Sequence, residues 1–319
     1  MTTKFMTTAE AVKKYIKDGD QIAIGGFTIN RNPMSITREI IRQRKKDLYL
    51  VVHSQGQALE LLIGAGCVKR VELAYGGVAR FAPTGYRFKK AFKNKTIEVE
   101  DYTNYHMTLR FFAGAMGLPF VVTSSGLSTD ITKLSGFSKE TRGKGKVPNY
   151  KLKIIENPFD SEFKDTVALP PLQPDVTILH TQYVGQDGTI RIEGLTFADI
   201  EQAKAAKNVI ISCEHIVPTE YLRQDPSRNS LPHFLVDAII QTPLGAHPTA
   251  CYKFYDYDSK HLNMFKSAAQ KDELFKKYLD EWVYSLETQD DYLEKIGVKD
   301  LLKIHANPAL GYSPGLDRR

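Results

Sequence analysis

The sequence contains few of the residues that build disulfide frameworks and structural metal sites. Its three cysteines, Cys67, Cys213 and Cys251, lie far apart and form no Cys-x-x-Cys pair. The eight histidines include no His-x-x-x-His. We therefore expect neither a disulfide-stabilised secreted fold nor a bound metal, and a cytoplasmic location suits these thiols.

Long apolar runs are also missing. The longest, residues 111–122, is 12 residues long and contains Pro119, so it is too short for a membrane-spanning helix. The first fourteen residues contain no apolar stretch typical of an export signal. We expect no membrane partner.

A strong excess of one charge and the common nucleotide motifs are absent as well. Lys plus Arg number 43 and Asp plus Glu 37, a net charge of +6 that is too small and too dispersed to indicate nucleic acid. Gly-x-Gly-x-x-Gly and the phosphate-loop pattern do not occur. Their absence argues against dinucleotide enzymes and triphosphatases. Gly-x-Ser-x-Gly occurs only at Gly311–Gly315, near the end of the chain and outside any predicted strand-to-helix turn, so serine hydrolysis has no support.

What is present is an ordinary globular composition. The 319 residues are 42% hydrophobic and 25% charged, which is sufficient for a large core. We find no internal repeat and no linker. The interpretation is a single domain over residues 1–319.

Predicted helices and strands alternate along the chain. Thr7 and Glu10 have the spacing of a capping box, which predicts a first helix ending at Gly19. A strand at 21–24 and a helix after Pro33 follow. Further strands are predicted at 48–52, 71–74, 120–122, 176–179, 189–192 and 209–213, and helices at 58–63, 104–115 and 197–206. This alternation predicts an α/β fold with an open, mainly parallel sheet and helices on both faces.

Two other segments have a distinct composition. Residues 123–146 are rich in Ser, Thr, Gly and Lys without periodicity, which indicates a long loop or lid. Residues of about 259–300 place apolar side chains in a charged background, which predicts a C-terminal helical extension.

A glycine pair follows the first predicted strand, where residues 18–33 read Asp-Gly-Asp-Gln-Ile-Ala-Ile-Gly-Gly-Phe-Thr-Ile-Asn-Arg-Asn-Pro. Gly25 and Gly26 precede a helix N-terminus, where backbone N–H groups can approach an anion or a developing oxyanion. Such pairs more often serve only tight turns, so the residues alone leave both interpretations open.

The segment resembles the N-terminal signature of the type I CoA-transferase family, with Asp18, Gly19, Gly25, Gly26, Phe27 and Pro33 on its positions. Other strings resemble, within this family, the alpha subunits of glutaconate CoA-transferases. They lie at Gly117–Phe120, Val147–Pro148, Glu156–Phe159, Asp187–Ile192, Gly245–Pro248 and Cys251–Asp258. The resemblance covers nearly the whole chain.

This resemblance implies a transferase that moves CoA from an acyl-CoA to a carboxylic or dicarboxylic acid. In the family a Glu attacks the acyl-CoA, and a glutamyl-CoA thioester forms and is opened by the second acid. Here the second strand runs into residues 53–56, which contain no carboxylate. The departure implies an alpha subunit whose nucleophilic Glu lies on a separate beta subunit, in a heterodimer, heterotetramer or heterooctamer. CoA and acyl-CoA would be substrates, and no cofactor would be bound permanently.

The resemblance also implies which residues of this chain form the site. The CoA and acyl region would be shaped by Gly25, Gly26 and Phe27, and the partner's Glu would be faced by His53, Ser54 and Gln55. Substrate contacts would come from Tyr75, Arg80, Ser124, Ser125 and Gly126. By its position before Pro248, His247 could order the site, but a structural role is the preferred interpretation for His247 and for His53 alike. Residues 74–80 depart from the Ser-bearing stretch expected of a glutaconate enzyme, so the acid is left open.

Two carboxylates and one basic run require an interpretation. Glu60 and Glu214 could each act as a nucleophile, but a structural helix-end or interfacial pair is the preferred interpretation. The basic run could meet CoA phosphates, and a solvated helix face is preferred for its members Arg87, Lys89, Lys90, Lys93 and Lys95.

Two alternative functions stay open. One is a subunit of a hydrolase of cyclic-diketone-CoA thioesters, such as those from steroid rings, which would require an acid on this chain where Asn104 stands. The other is a non-catalytic acyl-CoA-binding subunit, because a fold does not determine a function. The acyl donor, the acceptor and the partner's identity are not predicted.

Overall fold

The computed structural model describes residues 4–159 and 162–316. Its strands are β1 (Gln21–Ile24), β2 (Leu48–Gln55), β3 (Val68–Gly76), β4 (Glu98–Asp101), β5 (Val121–Thr123), β6 (Lys153–Glu156), β7 (Asp165–Leu169), β8 (Val176–Gly185), β9 (Ile190–Arg191), β10 (Asn208–Val217) and β11 (Ala238–Gln241). Its α-helices are α1 (Thr8–Tyr15), α2 (Met34–Arg42), α3 (Gln57–Gly64), α4 (Tyr86–Lys93), α5 (Asn104–Ala115), α6 (Asp130–Lys133), α7 (Asp199–Ala205), α8 (Thr219–Arg223), α9 (Ser259–Ala269), α10 (Asp272–Leu279), α11 (Gln289–Ile296) and α12 (Val298–Ile304).

The main sheet is open and parallel, as the alternation predicts. Its order is β11-β10-β8-β1-β2-β3-β4, and the short β9 adds an antiparallel pairing to β8. From β1 the chain builds β2, β3 and β4 on one side, and later β8, β10 and β11 on the other. The carboxyl ends of β1 and β8 therefore lie at a topological switch point, where open α/β sheets bind ligands.

The strand predicted at 120–122 is not part of this sheet. As β5 it joins β7 and β6 in a separate three-stranded antiparallel sheet. Its apolar residues match a buried parallel strand as well as a strand of a small sheet, so periodicity cannot distinguish the two. The segment at 123–146 is mostly loop and contains the short α6.

Helices cover both faces of the main sheet. One hydrophobic cluster joins β1–β3 to α2, α3 and the C-terminal helices α9 to α11, with Leu50, Phe265 and Trp282 among its members. A second cluster lies on the opposite face, against α5 and the small sheet. The C-terminal extension is thus part of a large core. Among the described residues no helix is long and apolar enough to cross a membrane.

A buried charge network fixes α5 on the sheet. Arg110 of α5 and the hydroxyl of Tyr49 both donate to the Glu72 carboxylate on β3, and Arg110 also donates to the Pro170 carbonyl at 3.0 Å. Both ionic side chains are 1% exposed. Burial beside Glu72 raises the pKa of Tyr49 well above its usual range, so this phenol stays a hydrogen-bond donor.

We expect Arg110→Met to lower the free energy of unfolding of the chain by about 3–5 kcal/mol, because Glu72 would keep a buried charge without its cation. Urea denaturation followed by circular dichroism measures it. Arg70→Gln is the matched control: its ion pair with Glu98 is partly exposed, so a loss of about 0–1 kcal/mol is expected. Equal losses in the two variants would contradict the assignment.

Candidate functional site

A pocket opens at the carboxyl end of β1, at the switch point of the sheet. Its volume is about 560 Å³, and its walls include Phe27, Arg31, Glu193, Phe197 and Tyr252. Gly25 and Gly26 follow β1 and form the backbone behind Phe27. The signature predicted to shape the CoA and acyl region therefore borders a real cavity.

The N–H groups of this loop are all used within the chain. Gly25 N–H donates to the Ile178 carbonyl at 3.0 Å, and Gly26 N–H donates to Asp199 Oδ1 at 2.8 Å. Phe27 N–H donates to the Asn30 carbonyl at 2.8 Å. Of the two interpretations left open by the sequence, these contacts favour the tight turn, because each N–H group already has an acceptor within the chain, the Asp199 carboxylate among them.

The glycines are instead required by close packing. A Cβ on Gly25 would lie 2.2 Å from Leu179 Cδ2 and 2.9 Å from Asp199 Oδ1. Gly26 has a φ of +79°, and a Cβ there would lie 2.4 Å from the Asn30 carbonyl oxygen. They allow the chain to turn back on itself while the Phe27 ring faces the pocket.

A buried ion pair holds the loop. The Asp199 carboxylate accepts from Arg31 Nη1 at 2.7 Å as well as from Gly26 N–H, and it lies at the start of α7. Arg31 also donates to the carbonyls of His180 at 3.1 Å and Leu195 at 2.7 Å. One arginine thus connects the β1 loop, β8 and the segment before α7.

Aromatic rings and strained backbone surround the pocket. Phe27 stacks on Phe197 with ring centroids 4.8 Å apart, and the His53 ring lies 5.7 Å from Phe27. Thr28, Arg31 and Phe197 all have positive φ, between 47° and 51°. Left-handed backbone at residues other than glycine is costly and concentrates at functional sites.

The three residues predicted to face a partner lie at the end of β2. His53 Nδ1 is buried without a hydrogen-bond partner in the described structure, and burial lowers the pKa of the His53 ring. Ser54 Oγ donates to Asn104 Oδ1 at 2.7 Å. Gln55 Nε2 donates to the Gly25 carbonyl at 2.7 Å, so Gln55 helps to hold the glycine loop in place.

The first turn of α5 connects β2 to the serine loop. Asn104 binds Ser54, and His106, two residues later, contacts the Ser125 carbonyl through Nε2 at 2.8 Å. Gly126 packs directly on the His106 ring, since a Cβ there would lie 2.7 Å from Cε1. The loop predicted to close over substrate is therefore attached to the same helix end as Ser54, and Ser124 is exposed on it.

The other predicted substrate residues lie elsewhere. Tyr75 borders a second pocket of about 450 Å³ beside Phe88 and Lys89, and its hydroxyl donates to the Pro83 carbonyl at 2.6 Å. Arg80 is exposed, with its guanidinium 5.6 Å from the centre of the Tyr257 ring. Their role in substrate binding stays a prediction.

The two carboxylates considered as nucleophiles have structural partners. Glu60 accepts from the N–H groups of Arg87 and Phe88 at 2.9 and 2.7 Å, so it caps α4, as the helix-end interpretation predicts. Glu214 accepts at Oε1 from His180 and Tyr255, each at 2.7 Å, and at Oε2 from the Leu244 N–H at 2.8 Å. It forms a buried network within the chain rather than an exposed pair.

One metal-like cluster was not predicted from the sequence. Ligand-type atoms of His180, Glu214 and Cys251 lie within 4.8 Å of one another. Both oxygens of Glu214 already have donors, and His180 Nδ1 contacts Ser212 Oγ at 2.9 Å. Burial raises the pKa of Cys251 well above its usual value, which opposes thiolate ligation. Hydrogen bonds account for this cluster.

The basic run is only partly a solvated helix face. Lys89, Lys90, Lys93 and Lys95 are exposed. Arg87 is buried, and it donates to Asp272 at 2.6 Å and to the Ala269 carbonyl at 2.7 Å. The expectation is wrong for Arg87, since α9 and α10 pack over α4 and the sequence pattern of α4 alone cannot show this.

His247 lies in a buried cluster of the C-terminal extension and does not line the 560 Å³ pocket. Its Nε2 contacts Asp258 at 3.1 Å and its Nδ1 contacts the Tyr292 hydroxyl at 2.8 Å. His261 packs beside it and contacts the Tyr278 hydroxyl at 2.8 Å. Burial lowers the pKa of His247, and lowers that of His261 well below its usual value.

Sequence reasoning assigned no role to several residues at the pocket. Arg31, Glu193 and Tyr252 line it, and Asp199 holds Arg31. Arg31 and Tyr252 lie within strings quoted for the family resemblance, at 18–33 and 251–258, and these were the available signals. The partner of Arg31 was not identifiable, because 168 residues separate it from Asp199.

We expect Asp199→Asn to lower the free energy of unfolding by about 3–5 kcal/mol, because Arg31 would be left as a buried, unpaired charge. Urea denaturation measures it. Glu201→Gln is the control, since this side chain lies two residues further along α7 and is partly exposed, and a change within about 0.5 kcal/mol is expected. A similar effect of both substitutions would contradict the role given to Asp199.

The buried histidines predict a loss of stability in mild acid. Their folded pKa values are lowered, so the unfolded chain binds protons first. The contribution of these histidines to the free energy of unfolding is fully present above about pH 6.5. Below that pH it falls, by up to about 1.4 kcal/mol per pH unit for each histidine. Urea unfolding at pH 7.5, 6.5 and 5.5 measures the slope. His261→Gln, which cannot ionise, should reduce it, and an unchanged slope would exclude His261 as its source.

Comparisons with known proteins identify the family. A model described as Coenzyme A transferase matches residues 5–242. The chain is 39% identical over 311 residues to the A subunit of glutaconate CoA-transferase from Acidaminococcus fermentans, covering 97% of each chain. The crystal structure of glutaconate coenzyme A-transferase from that organism matches with a TM-score of 0.94 at 38% identity, over 99% of both chains.

Two more distant relatives have different activities in their names. The A subunit of 3-oxoadipate CoA-transferase from Pseudomonas knackmussii is 30% identical over 92% of this chain and 98% of its own. The cholesterol ring-cleaving hydrolase IpdA subunit of Rhodococcus jostii is 27% identical, over 87% of this chain and 90% of its own. The predicted fold class and family are confirmed: the chain belongs to the coenzyme A transferase family.

Proposed function

We propose that this chain is the alpha subunit of a heteromeric CoA-transferase and that it acts as a single domain. It transfers CoA from an acyl-CoA to a carboxylic or dicarboxylic acid, and its beta subunit supplies the nucleophilic Glu. CoA and acyl-CoA are substrates rather than resident cofactors. The complex is a heterodimer or a higher assembly, and neither nucleic acid nor membrane takes part.

The observation that carries the proposal is that the carboxylates around the pocket are already bound to other groups of the chain. Among the described residues, Asp199 holds Arg31 and Gly26, and Glu193 holds Arg228 and Lys253. A carboxylate held by donors on both oxygens is a weak nucleophile. These contacts support an attacking carboxylate that comes from outside this chain.

The chemistry balances with a partner's Glu as nucleophile. Its carboxylate attacks the thioester carbonyl and expels CoA thiolate, which leaves a mixed anhydride. The thiolate then attacks the glutamyl carbonyl and releases the first acid, and the acceptor carboxylate opens the resulting thioester by the same two steps in reverse. This chain contributes the wall at Gly25–Phe27 and the neutral His53 ring at its edge.

The proposal also gives a role to each of the other predicted site residues. Ser54 and Gln55 hold the edge that faces the partner, while Ser124–Gly126 close over the acyl group. Tyr75 and Arg80 contact the acyl group from the β3 side, and His247 orders the C-terminal extension behind the site.

The hydrolase alternative requires an acid on this chain. Asn104 occupies that place, and its side chain accepts a hydrogen bond from Ser54 rather than offering a carboxylate. This observation favours transfer over hydrolysis. A subunit that binds acyl-CoA without turnover is the second alternative, and the same experiment separates all three.

The chain should be co-purified with its co-encoded neighbour, mixed with acyl-CoA and treated with borohydride, which reduces a glutamyl thioester to an alcohol. Intact-mass analysis should show a loss of mass on the partner alone, and the isolated chain should have no transfer activity. A loss on this chain would transfer the nucleophile to Glu60 or Glu214. A loss on neither, with acyl-CoA consumed or only bound, would support hydrolysis or binding without turnover.

A further inference from the structure

Two cations meet one carboxylate at the rim of the 560 Å³ pocket. Arg228 Nη2 binds both oxygens of Glu193, at 2.5 and 2.7 Å. Lys253 Nζ binds Glu193 Oε2 at 2.8 Å. Glu193 itself lines the pocket, and Lys253 Nζ lies 6.0 Å from the ring centre of Tyr252, another lining residue.

The geometry leaves a positive charge facing outward. The Glu193 side chain is 9% exposed, whereas Arg228 is 46% and Lys253 is 35% exposed. The Glu193 carboxylate therefore lies beneath the two cations. The deeper Arg31–Asp199 pair is neutral as a unit, so the charges of Glu193, Arg228 and Lys253 sum to +1, with Asp225 as a further anion near Arg228.

These groups are held in place by the fold. Glu193 N–H donates to Gln182 Oε1 at 3.0 Å, and Gln182 Nε2 donates back to the Glu193 carbonyl at 3.1 Å. Lys253 has a φ of +71° in the turn between Cys251 and Tyr255. A glycine would adopt this conformation without strain, so a lysine held there indicates that its side chain is used.

Hydrogen-bonding capacity also remains at the rim. In the part of the chain that the structure describes, Arg228 uses only Nη2, so Nη1 and Nε can still donate. Lys253 Nζ has further N–H groups besides the one that Glu193 accepts. The wall behind the rim is apolar, with Phe27, Leu195 and Phe197.

We propose that Arg228 and Lys253 bind an anionic group at the end of the substrate remote from the reacting carbonyl, while the apolar wall holds the body between. The anion is either a second carboxylate of the acid or a phosphate of CoA, which share the chemistry that a guanidinium recognises. The inference rests on the proposed function and adds to it the residues that determine substrate choice.

The test uses the complex of this chain with its beta subunit, in the wild type and in the single variants Arg228→Gln and Lys253→Gln. Glu193 keeps one cation in each variant, so both should fold. The control is Arg223→Gln, which removes an equal charge from an exposed position on nearby α8. Glutarate and pentanoate are compared as acceptors by their KM values. CoA and pantetheine are compared by their Kd values from calorimetry.

We expect each variant to weaken the binding of one anionic probe about tenfold, which corresponds to the loss of one charge-assisted hydrogen bond. A rise in the KM of glutarate alone identifies a carboxylate, and a rise in the Kd of CoA alone identifies a phosphate. Pentanoate, pantetheine and Arg223→Gln should show no change.

Unchanged values for all four probes, or equal changes with Arg223→Gln, would overturn the inference. An equal rise in KM for pentanoate and glutarate, or an equal rise in Kd for pantetheine and CoA, would overturn it as well. If the wild-type complex transfers CoA to no acid, the proposed function fails, and the CoA–pantetheine titration still tests the rim.

Discussion

The Asp199 carboxylate is the contact on which the site depends. It lies at the start of α7, in the second half of the sheet, and it binds Gly26 and Arg31 from the first half. A buried carboxylate that lost either donor would be strongly destabilised, so the two halves meet in one arrangement. The glycine loop, the Phe27–Phe197 stack and the pocket beside them all follow from that arrangement.

The same saturation is the basis for proposing a nucleophile outside this chain. Backbone N–H groups at Gly25–Phe27 and the carboxylates of Glu60, Glu193, Asp199 and Glu214 all have partners within the chain. Groups already held by structural contacts are poor candidates for the covalent step. Under the proposals above, a substrate would contact the pocket itself, the His53 ring and the cations at the rim.

Much of the fold could be predicted from local pattern. The capping box at Thr7 and Glu10 forms as expected, and α5 has the bounds read from the sequence, because side-chain caps and 3.6-residue periodicity are local signals. β4 was missed because three of its four residues are acidic, and β11 because its apolar run, Ala238–Ile240, is only three residues long. The antiparallel sheet of β5, β7 and β6 was missed because periodicity indicates a strand but not the strand with which it pairs.

The candidate site divides in the same way. Local composition placed the glycine pair at the end of β1 and showed no carboxylate at residues 53–56. Together with the family resemblance, this led to the proposal of a partner subunit. Only the tertiary structure joined Arg31 to Asp199, Glu193 to Lys253 and His247 to the C-terminal cluster. Those pairs are separated by between 11 and 168 residues, and burial, not spacing, selects them. The sequence by itself determined the elements and the family, and the packing of distant segments decided which charges meet.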